Sequence, residues 1–417
     1  ALAIGKRATR YGMKLLVDFH YSDFWADPGK QMVPKAWVGM EIDEKADALN
    51  RYTTDCLQQL KDAKVDVGMV QLGNETNGSL CGETTWGNIC YLMEAGSRAV
   101  RAIFPEALVA VHFTNPENAD AMRFYAKTLD DFRLDYDVFA TSYYPYWHGT
   151  LENLAAVLSQ IAEAYGKKVM VAETSYAYTP EDTDFFGNTV GEGGSYAKPY
   201  PLTVQGQADA VADVVRTMAE DTTNGIGVFY WEGAWINAGG SSRAENSRKW
   251  EQYGSGWASV HAGEYESDAA QWYGGSAVDN QALFDFYGNP LESLKVFRYV
   301  DTGTTCEKKV ESVESPVSVT VLENEAETVS LPGTVTVTYN DGSEGVAAVN
   351  WDAEALAAAI RSGAGSYTIN GTANVDGENY AVICILKIEP ANLLVNPGFE
   401  EGAAFGWTVT GEGATIK

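Results

Sequence analysis

The chain has 417 residues, of which 45% are hydrophobic and 21% charged, a composition typical of a folded globular protein. Its formal net charge of −28 argues against nucleic acid or an anionic membrane surface as a partner and favours a neutral ligand. No apolar run approaches the roughly 18–20 residues that a membrane-spanning helix requires.

Short apolar strands alternate with amphipathic helices from the first residue to about residue 300. The opening residues, ALAIGKRATRYGMK, have the pattern of the end of a helix that runs into a strand, so we expect the chain to begin within a domain. The predicted strands are 14–21, 67–75, 108–113, 136–144, 168–176 and 226–235, and the clearest helices are 44–63 and 152–166.

Near-continuous apolar strands separated by helices predict an α/β fold with a buried parallel sheet. Six β/α units over residues 1–302 suit a (β/α)8 TIM barrel that lacks its first two β/α units. A doubly wound sheet is the alternative. The Gly-rich phosphate loop expected after an early strand of that fold is absent from the sequence.

Polar and aromatic residues follow each predicted strand, and in a barrel the carboxyl ends of the strands meet at one face. Glu75 follows one strand directly after Asn74, and Glu173 follows another strand farther along the chain. A single Glu in such a place is usually a surface residue, but two facing carboxyl groups permit acid and nucleophile chemistry. A separation of about 5–5.5 Å between them would predict cleavage of a glycosidic bond with retention of configuration.

The chain resembles family 53 of the glycoside hydrolases, the endo-β-1,4-galactanases, from its first residue to about residue 300. The segments that carry the resemblance are LLVDFHYSDFWADPGKQMVPKAW (15–37), VQLGNETNG (70–78), SYYPYWHGTL (142–151), VAETSYAYT (171–179) and GVFYWEGAW (227–235). The resemblance implies a retaining endo-hydrolase of β-1,4-galactan that acts on pectin side chains or type I arabinogalactan. The family's first two strands, which include an Arg near the sugar, would precede residue 1.

The same resemblance implies a role for individual residues. Glu75 would be the acid/base and Glu173 the nucleophile. Asn74 would bond the 2-hydroxyl of the sugar beside the scissile bond, and Trp231 would form the floor of that subsite. Three further residues would line the cleft and set the protonation of the carboxyl groups: His20, His112 and Tyr143. For His20 and His112 the alternative is a histidine of the core.

Aromatic side chains near the strand ends are candidate platforms for sugar rings, although core packing explains any one of them. The candidates are Trp25, Trp86, Trp147 and Trp235, and Trp147 is counted among the predicted substrate-binding residues.

The loop after the second Glu, PEDTDFFGNT (180–189), carries side-chain oxygens at alternate positions: Asp182, Asp184 and Asn188. Such oxygens suit a hard cation, and the resemblance implies a structural Ca²⁺ in this loop. Phe186 occupies the intermediate position, where only a backbone carbonyl could be a ligand. A solvated acidic turn is the alternative. No cofactor is expected to take part in catalysis.

Five Cys residues have spacings that match no zinc-binding pattern. Cys81 and Cys90 lie in one predicted loop, and two alternatives stay open for them: a disulfide in an oxidising compartment or two free buried thiols.

The composition changes after residue 309. Residues 310–390 are rich in Val and Thr, contain one helical run at 352–360, and resemble a bacterial Ig-like β-sandwich. Residues 391–417 resemble the start of a truncated β-rich carbohydrate-binding module.

We expect a bacterial, secreted or cell-surface monomer that binds galactan and neither nucleic acid nor membrane. The rivals are a mannanase or cellulase of the same clan and a non-catalytic galactan-binding protein.

Overall fold

The computed structural model describes residues 1–240, 242–253, 274–300, 310–339, 344–375 and 377–391. The chain divides into two compact units, residues 1–302 and 303–417. Among the described helices, none is long and apolar enough to cross a membrane. Residues 392–417, which contain nearly all of the expected carbohydrate-binding segment, lie outside the described residues.

The first unit alternates strands and helices as the sequence predicts. Its strands are β1 (Leu15–Phe19), β2 (Val67–Leu72), β3 (Leu108–Phe113), β4 (Val138–Ser142), β5 (Lys168–Thr174) and β6 (Gly225–Tyr230). Its helices are α1 (Leu2–Arg10), α2 (Ile42–Asp62), α3 (Trp86–Ile103), α4 (Ala119–Asp131), α5 (Leu151–Tyr165), α6 (Val204–Arg216), α7 (Arg243–Tyr253) and α8 (Val296–Val300).

Strands β1 to β6 form one parallel sheet in which the spatial order is the chain order. A doubly wound sheet would reverse its strand order at a switch point, so the unbroken order excludes that alternative. The predicted fold class is confirmed: the unit is a (β/α)8-type barrel fold, with six parallel strands in the described part of the chain.

Local sequence explains where the elements begin and end. Asn118 caps α4 by accepting the backbone N–H of Ala121, and Thr150 caps α5 in the same way. Gly166 ends α5 in the left-handed conformation at φ 63°, which costs a glycine little. All five residues of β4 are buried, because β3 and β5 flank it and side chains cover both of its faces.

Within the described residues the cysteines, Cys56, Cys81, Cys90 and Cys384, are free thiols. Cys81 and Cys90 are both buried, and the Cys81 thiol donates a hydrogen bond to the carbonyl of Tyr21 at 3.2 Å. Cys90 lies within α3. The disulfide alternative is therefore wrong for this pair, because each sulfur is packed in the apolar core instead of facing the other.

The second unit is built almost entirely of strands. They are β7 (Val310–Val313), β8 (Val317–Leu322), β9 (Thr334–Tyr339), β10 (Glu344–Trp351), β11 (Gly365–Val375) and β12 (Glu378–Glu389), with α9 (Ala353–Ser362) at the predicted helical run. Pairing is antiparallel except between β8 and β12. Inward side chains such as Val337, Ile369 and Leu386 share one apolar core, as expected of an Ig-like unit.

Helix α3 packs closely against the sheet at Gly96. A side-chain carbon at this position would lie 2.9 Å from Leu72 Cδ2 and 3.1 Å from the Tyr21 hydroxyl, both in the core. Gly96→Val should therefore overpack the core and lower the free energy of unfolding by about 1–3 kcal/mol. Gly87→Val in the same helix is the control, because its nearest neighbour is 4.0 Å away. Equal thermal melts for the two variants would contradict the prediction.

Candidate active site

A cleft of about 640 Å³ lies at the carboxyl ends of the strands of the first unit. Its size is that of a small-ligand site. Six of the predicted site residues line it: His20, Asn74, Glu75, Trp147, Glu173 and Trp231. Side chains from β1, β2, β5 and β6 and from the segment after β4 contribute to it, so the sheet brings together residues that are far apart in the sequence.

The turn after β2 holds Glu75 in a strained conformation. Glu75 has φ 48°, in the left-handed region that non-glycine residues rarely adopt, at a cost of about 1–3 kcal/mol. Gly73 supplies the turn at φ 84°, where a side-chain carbon would meet Thr76 at 2.6 Å. Gln31 donates to the carbonyl of Asn74 at 2.6 Å, and the N–H of Thr76 donates to the carbonyl of His112. These bonds fix the direction of the Glu75 side chain.

Glu75 lies in a polar pocket below the cleft surface. Its Oε1 is 2.6 Å from the Ser142 hydroxyl at the end of β4. Burial raises the pKa of Glu75 above its ordinary value, and any hydrogen bond donated by Ser142 or Thr114 opposes that rise. The nearby Asp27 charge also raises the pKa of Glu75, and His20 opposes it.

Glu173 is the second half-buried carboxyl group of the cleft. The Tyr144 hydroxyl donates to its Oε2 at 2.8 Å. Burial, followed by the charge of Glu75, raises the pKa of Glu173 well above its ordinary value, while the Tyr144 bond lowers it. The charge of Glu75 is thus one cause of the raised pKa of Glu173, so ionisation of one carboxyl group disfavours ionisation of the other.

His112 lies beneath the cleft and does not line it, so that part of the prediction is wrong. The side chain is fully buried, with Nδ1 at 2.9 Å from Asn74 Oδ1 and Nε2 at 2.9 Å from the Ser142 hydroxyl. Burial lowers the pKa of His112 to about 3, so the ring is neutral. It is a buried histidine that contacts the site through Asn74 and Ser142.

Tyr143 also points away from the cleft, and its neighbour Tyr144 takes the predicted place. The Tyr143 hydroxyl donates to the carbonyl of Gly149 at 3.1 Å. Residues of an extended segment alternate between its two sides. Ser142 and Tyr144 therefore face the carboxyl groups, and Tyr143 between them faces the other side.

His20 lines the cleft as predicted. Its Nε2 is 3.0 Å from Asp18 Oδ2, and its Nδ1 accepts the backbone N–H of Ala26 at 2.9 Å. Burial lowers the pKa of His20, but the hydrogen bond and charge of Asp18 outweigh it, so the pKa is raised overall.

Aromatic rings form the walls of the cleft. Trp25, Trp147, Trp231 and Trp235 all line it, and the ring of Tyr144 meets Trp231 edge to face at 6.2 Å. Trp86 packs instead against Phe113, Phe124 and Tyr125, as expected of a core side chain.

Sequence reasoning missed four residues of this region: Ser142, Tyr144, Gln71 and Glu232. The first two lie within a segment that the sequence singles out, and two-residue alternation could have identified them. Glu232 lines the cleft at φ 52°, and burial raises its pKa. Gln71 donates to Asp18 Oδ1 at 2.9 Å. Gln71 is buried within β2, and no sequence pattern marks a residue in that position as part of a site.

The acidic loop was predicted to hold calcium through Asp182, Asp184 and Asn188. Asp182 accepts the N–H groups of Asp184 and Asn188, and Asp184 accepts the N–H of Ser276 at 2.9 Å. Asp279 is fully buried beside them, and no described residue makes a hydrogen bond of good geometry to either of its carboxyl oxygens. Asn188 Oδ1 is also without one.

These unpartnered buried oxygens fit a hard cation, because an uncompensated buried carboxyl group is costly. Burial raises the pKa of Asp279 to about 7. Within the described residues, no group of three or more His, Cys, Asp or Glu side chains is arranged to hold a metal ion. A cation in this loop would therefore depend on amide and carbonyl oxygens as well.

The raised pKa of Glu173 predicts a gain in stability when the carboxyl group is removed. Its pKa is higher in the folded than in the unfolded chain, so stability falls as pH rises above the ordinary Glu range, roughly pH 4. Glu173→Gln should raise the free energy of unfolding at pH 7 by roughly 0.5–2 kcal/mol, and the gain should vanish below about pH 4. Thermal melts at both pH values, with the exposed Glu106→Gln as control, test this. A Glu173→Gln variant less stable than the parent at pH 7 would contradict it.

Comparison with known proteins agrees with the fold and the cleft. The model of glycosyl hydrolase family 53 matches residues 1–297, and that of a bacterial Ig-like domain (group 4) matches residues 314–377. The endo-beta-1,4-galactanase of Bacillus subtilis (strain 168) is 57% identical over 311 residues, which are 74% of this chain and 72% of that protein.

Two solved structures are also similar. The GH53 catalytic domain of Ignisphaera aggregans has 32% identity and a TM-score of 0.60, covering 71% of this chain and 76% of that one. A structure of fungal beta-1,4-galactanases has 26% identity and a TM-score of 0.56, covering 71% of this chain and 81% of that one. The family model alone spans well over half of the sequence. The chain belongs to glycosyl hydrolase family 53.

Proposed function

We propose that the protein is a retaining endo-hydrolase of β-1,4-galactan that acts by double displacement. The observation that carries the proposal is the pair Glu75 and Glu173, which line one cleft with aromatic walls and have raised pKa values. The substrate follows from the relatives, since the similar B. subtilis protein and the fungal structures are both named as galactanases.

In the first step, Glu173 attacks the anomeric carbon. Tyr144 bonds only its Oε2, so Oε1 is free to form the covalent bond to the sugar. Glu75 gives its proton to the glycosidic oxygen as the bond to the leaving sugar breaks. The negative charge thus moves from Glu173 to Glu75 during this step, and the site never holds two full negative charges at once.

In the second step, Glu75 is ionised and acts as a base. It takes a proton from a water molecule, whose oxygen attacks the anomeric carbon and releases Glu173 as carboxylate. Two displacements at one carbon restore its configuration. This mechanism expects a separation of about 5–5.5 Å between the two carboxyl groups.

Asn74 and the tryptophans would hold the sugar. Asn74 Nδ2 donates one hydrogen to the carbonyl of Ala26 at 2.7 Å, and its second hydrogen remains for a sugar hydroxyl. Trp231 and Trp147 would present ring faces to the apolar faces of sugars, as a neutral polysaccharide requires.

Glu173→Ala should reduce the cleavage of β-1,4-galactan at least about 10³-fold, because it removes the nucleophile. Reducing ends released from galactan, xylan and mannan measure activity and substrate choice, with Tyr143→Phe as a control outside the cleft. The anomer first formed, followed by NMR, should be the β form.

Cleavage of mannan or xylan in preference to galactan would favour another endo-glycosidase of the clan. Binding of galactan without cleavage by the parent chain would favour a binding protein. Undiminished cleavage by Glu173→Ala would overturn the assigned mechanism.

We also propose a structural Ca²⁺ held by Asp182, Asp184, Asn188 and Asp279. The unpartnered oxygens of Asp279 and Asn188 support it. The ion would stiffen the loop that follows the nucleophile, and it would take no part in the chemical steps.

Removing this ion with a chelator should lower the melting temperature by about 5 °C or more, and Ca²⁺ should restore it. Asp279→Asn should melt at the same temperature with and without chelator. A melting temperature of the parent chain that the chelator leaves unchanged would count against the site.

The Ig-like unit and the acidic composition support secretion or cell-surface attachment, since such units commonly space the domains of extracellular polysaccharide hydrolases. Monomeric state remains a prediction. Sedimentation of the purified chain would test it.

A further inference from the structure

Two polar side chains line the cleft without a role in the proposed mechanism: Glu232 and Gln281. Glu232 follows the end of β6, and Gln281 lies in a short segment after α7. The backbone N–H of Leu283 donates to the carbonyl of Gly233 at 2.7 Å, so the two segments lie side by side. The same wall of the cleft therefore carries both side chains.

The backbone after β6 holds Glu232 in a strained conformation. Its φ is 52°, a value that glycine adopts readily and other residues rarely do. The N–H of Trp231 donates to the carbonyl of Thr174 at 2.8 Å, and the N–H of Trp235 donates to the carbonyl of Glu232 at 3.0 Å. A strained residue that is held firmly at the surface of a cleft points to a function of its side chain.

The carboxyl group of Glu232 is available to a ligand. None of the described residues makes a hydrogen bond or an ion pair with it, although burial raises its pKa. Its charge also raises the pKa of Glu173 and of Tyr144, which places it on the nucleophile's side of the cleft. A carboxyl group that is partly shielded from water and has no protein donor is costly. A hydroxyl group of the substrate would supply the missing hydrogen bond.

Gln281 offers the second free polar group. The side chain is 4% exposed, and the Ser175 hydroxyl lies 2.6 Å from its Oε1. Its backbone carbonyl accepts the hydroxyl of Tyr230 at 2.7 Å, which fixes the residue in place. No described residue makes a hydrogen bond with the other end of the amide. Whichever end faces Ser175, a sugar hydroxyl suits the remaining one, because a hydroxyl both donates and accepts.

We propose that Glu232 and Gln281 form a second sugar subsite of the cleft, next to Trp235. This subsite binds two adjacent hydroxyls of the galactosyl unit beside the one that Asn74 holds. A β-1,4 linkage leaves O2, O3 and O6 free, and only O2 and O3 are adjacent. The two oxygens of one carboxylate accept a hydrogen from each of them. Glu232 and Gln281 thus bind the substrate and take no part in breaking the glycosidic bond.

The inference rests on the proposed function for its ligand, a β-1,4-galactan. A different role for Glu232 is an effect of its charge on Glu173 alone, without contact to a sugar. The two roles are separable, because an effect through charge requires that Glu173 be present, and direct binding of a hydroxyl does not.

Calorimetric titration of the full chain with β-1,4-galactotetraose tests the subsite. The titrated chain carries Glu173→Ala, so no sugar is cleaved and the Glu173 charge is absent. Adding Glu232→Ala should weaken binding about 10-fold or more, because hydrogen bonds to a charged group are lost. Adding Glu232→Gln, which keeps one acceptor oxygen, should weaken it only about 3-fold. A Kd that Glu232→Ala leaves unchanged would overturn the proposal.

The same titration tests the second residue. Gln281→Leu keeps the approximate size of the side chain and removes both of its polar ends, so the Kd should rise about 5-fold. An unchanged Kd in this variant would contradict a subsite made of two residues.

Two controls separate binding from stability. Glu106→Ala removes an exposed carboxyl group of α3's following loop and should change neither the Kd nor the melting temperature. Glu232→Ala should keep the melting temperature within about 2 °C, because its side chain bonds no described residue. A larger fall would refute the subsite, since the side chain would then stabilise the fold.

The titration also distinguishes failure of the subsite from failure of the proposed function. A parent chain that cleaves galactan, with a Kd that does not respond to Glu232→Ala, refutes the subsite and leaves the hydrolase intact. A parent chain that does not cleave galactan, with a Kd that rises in Glu232→Ala, refutes the hydrolase and supports the subsite.

Discussion

Two carboxyl groups share one cleft, and the repulsion between them is the constraint on which the rest of the site depends. Burial raises the pKa of both Glu75 and Glu173, and each charge disfavours the other. The surrounding groups respond to this constraint. Tyr144 supplies a donor to one carboxyl group, and the buried His112 contacts the hydroxyl beside the other. The proposed mechanism uses this pair, since it needs one group as the acid while the other attacks.

The barrel sheet is stable enough to tolerate this arrangement. Its central strands β3 and β4 are buried on both faces, and the side chains of the sheet form a continuous core with the helices. That rigid base holds Glu75 in a left-handed conformation and brings the two carboxyl groups into one cleft. The left-handed backbone of Glu75 and the closeness of two carboxyl groups each lower the stability of the fold. Enzymes commonly retain such destabilising features at the site where the chemistry occurs.

Local patterns were enough to predict the elements and the two carboxyl groups of the cleft. Strand and helix periodicity located β1 to β6, because a buried parallel strand is apolar over its whole length. The pair Asn74 and Glu75 was visible because polar residues follow an apolar run. The choice between Tyr143 and Tyr144 was not visible, since it depends on which side of an extended segment faces the cleft. Asp279 lies far along the chain from the acidic loop, and no local pattern connects the two.

The sequence by itself determined the fold class, the family and the two carboxyl groups, because these depend on periodicity and on long local motifs. Only the tertiary structure decided how the groups act on each other. The contacts among Asn74, His112, Ser142 and Glu75 join β2, β3 and β4, so they arise only when three strands lie side by side. Proton positions depend on distances of a few tenths of an ångström, and such distances are a property of the packed barrel.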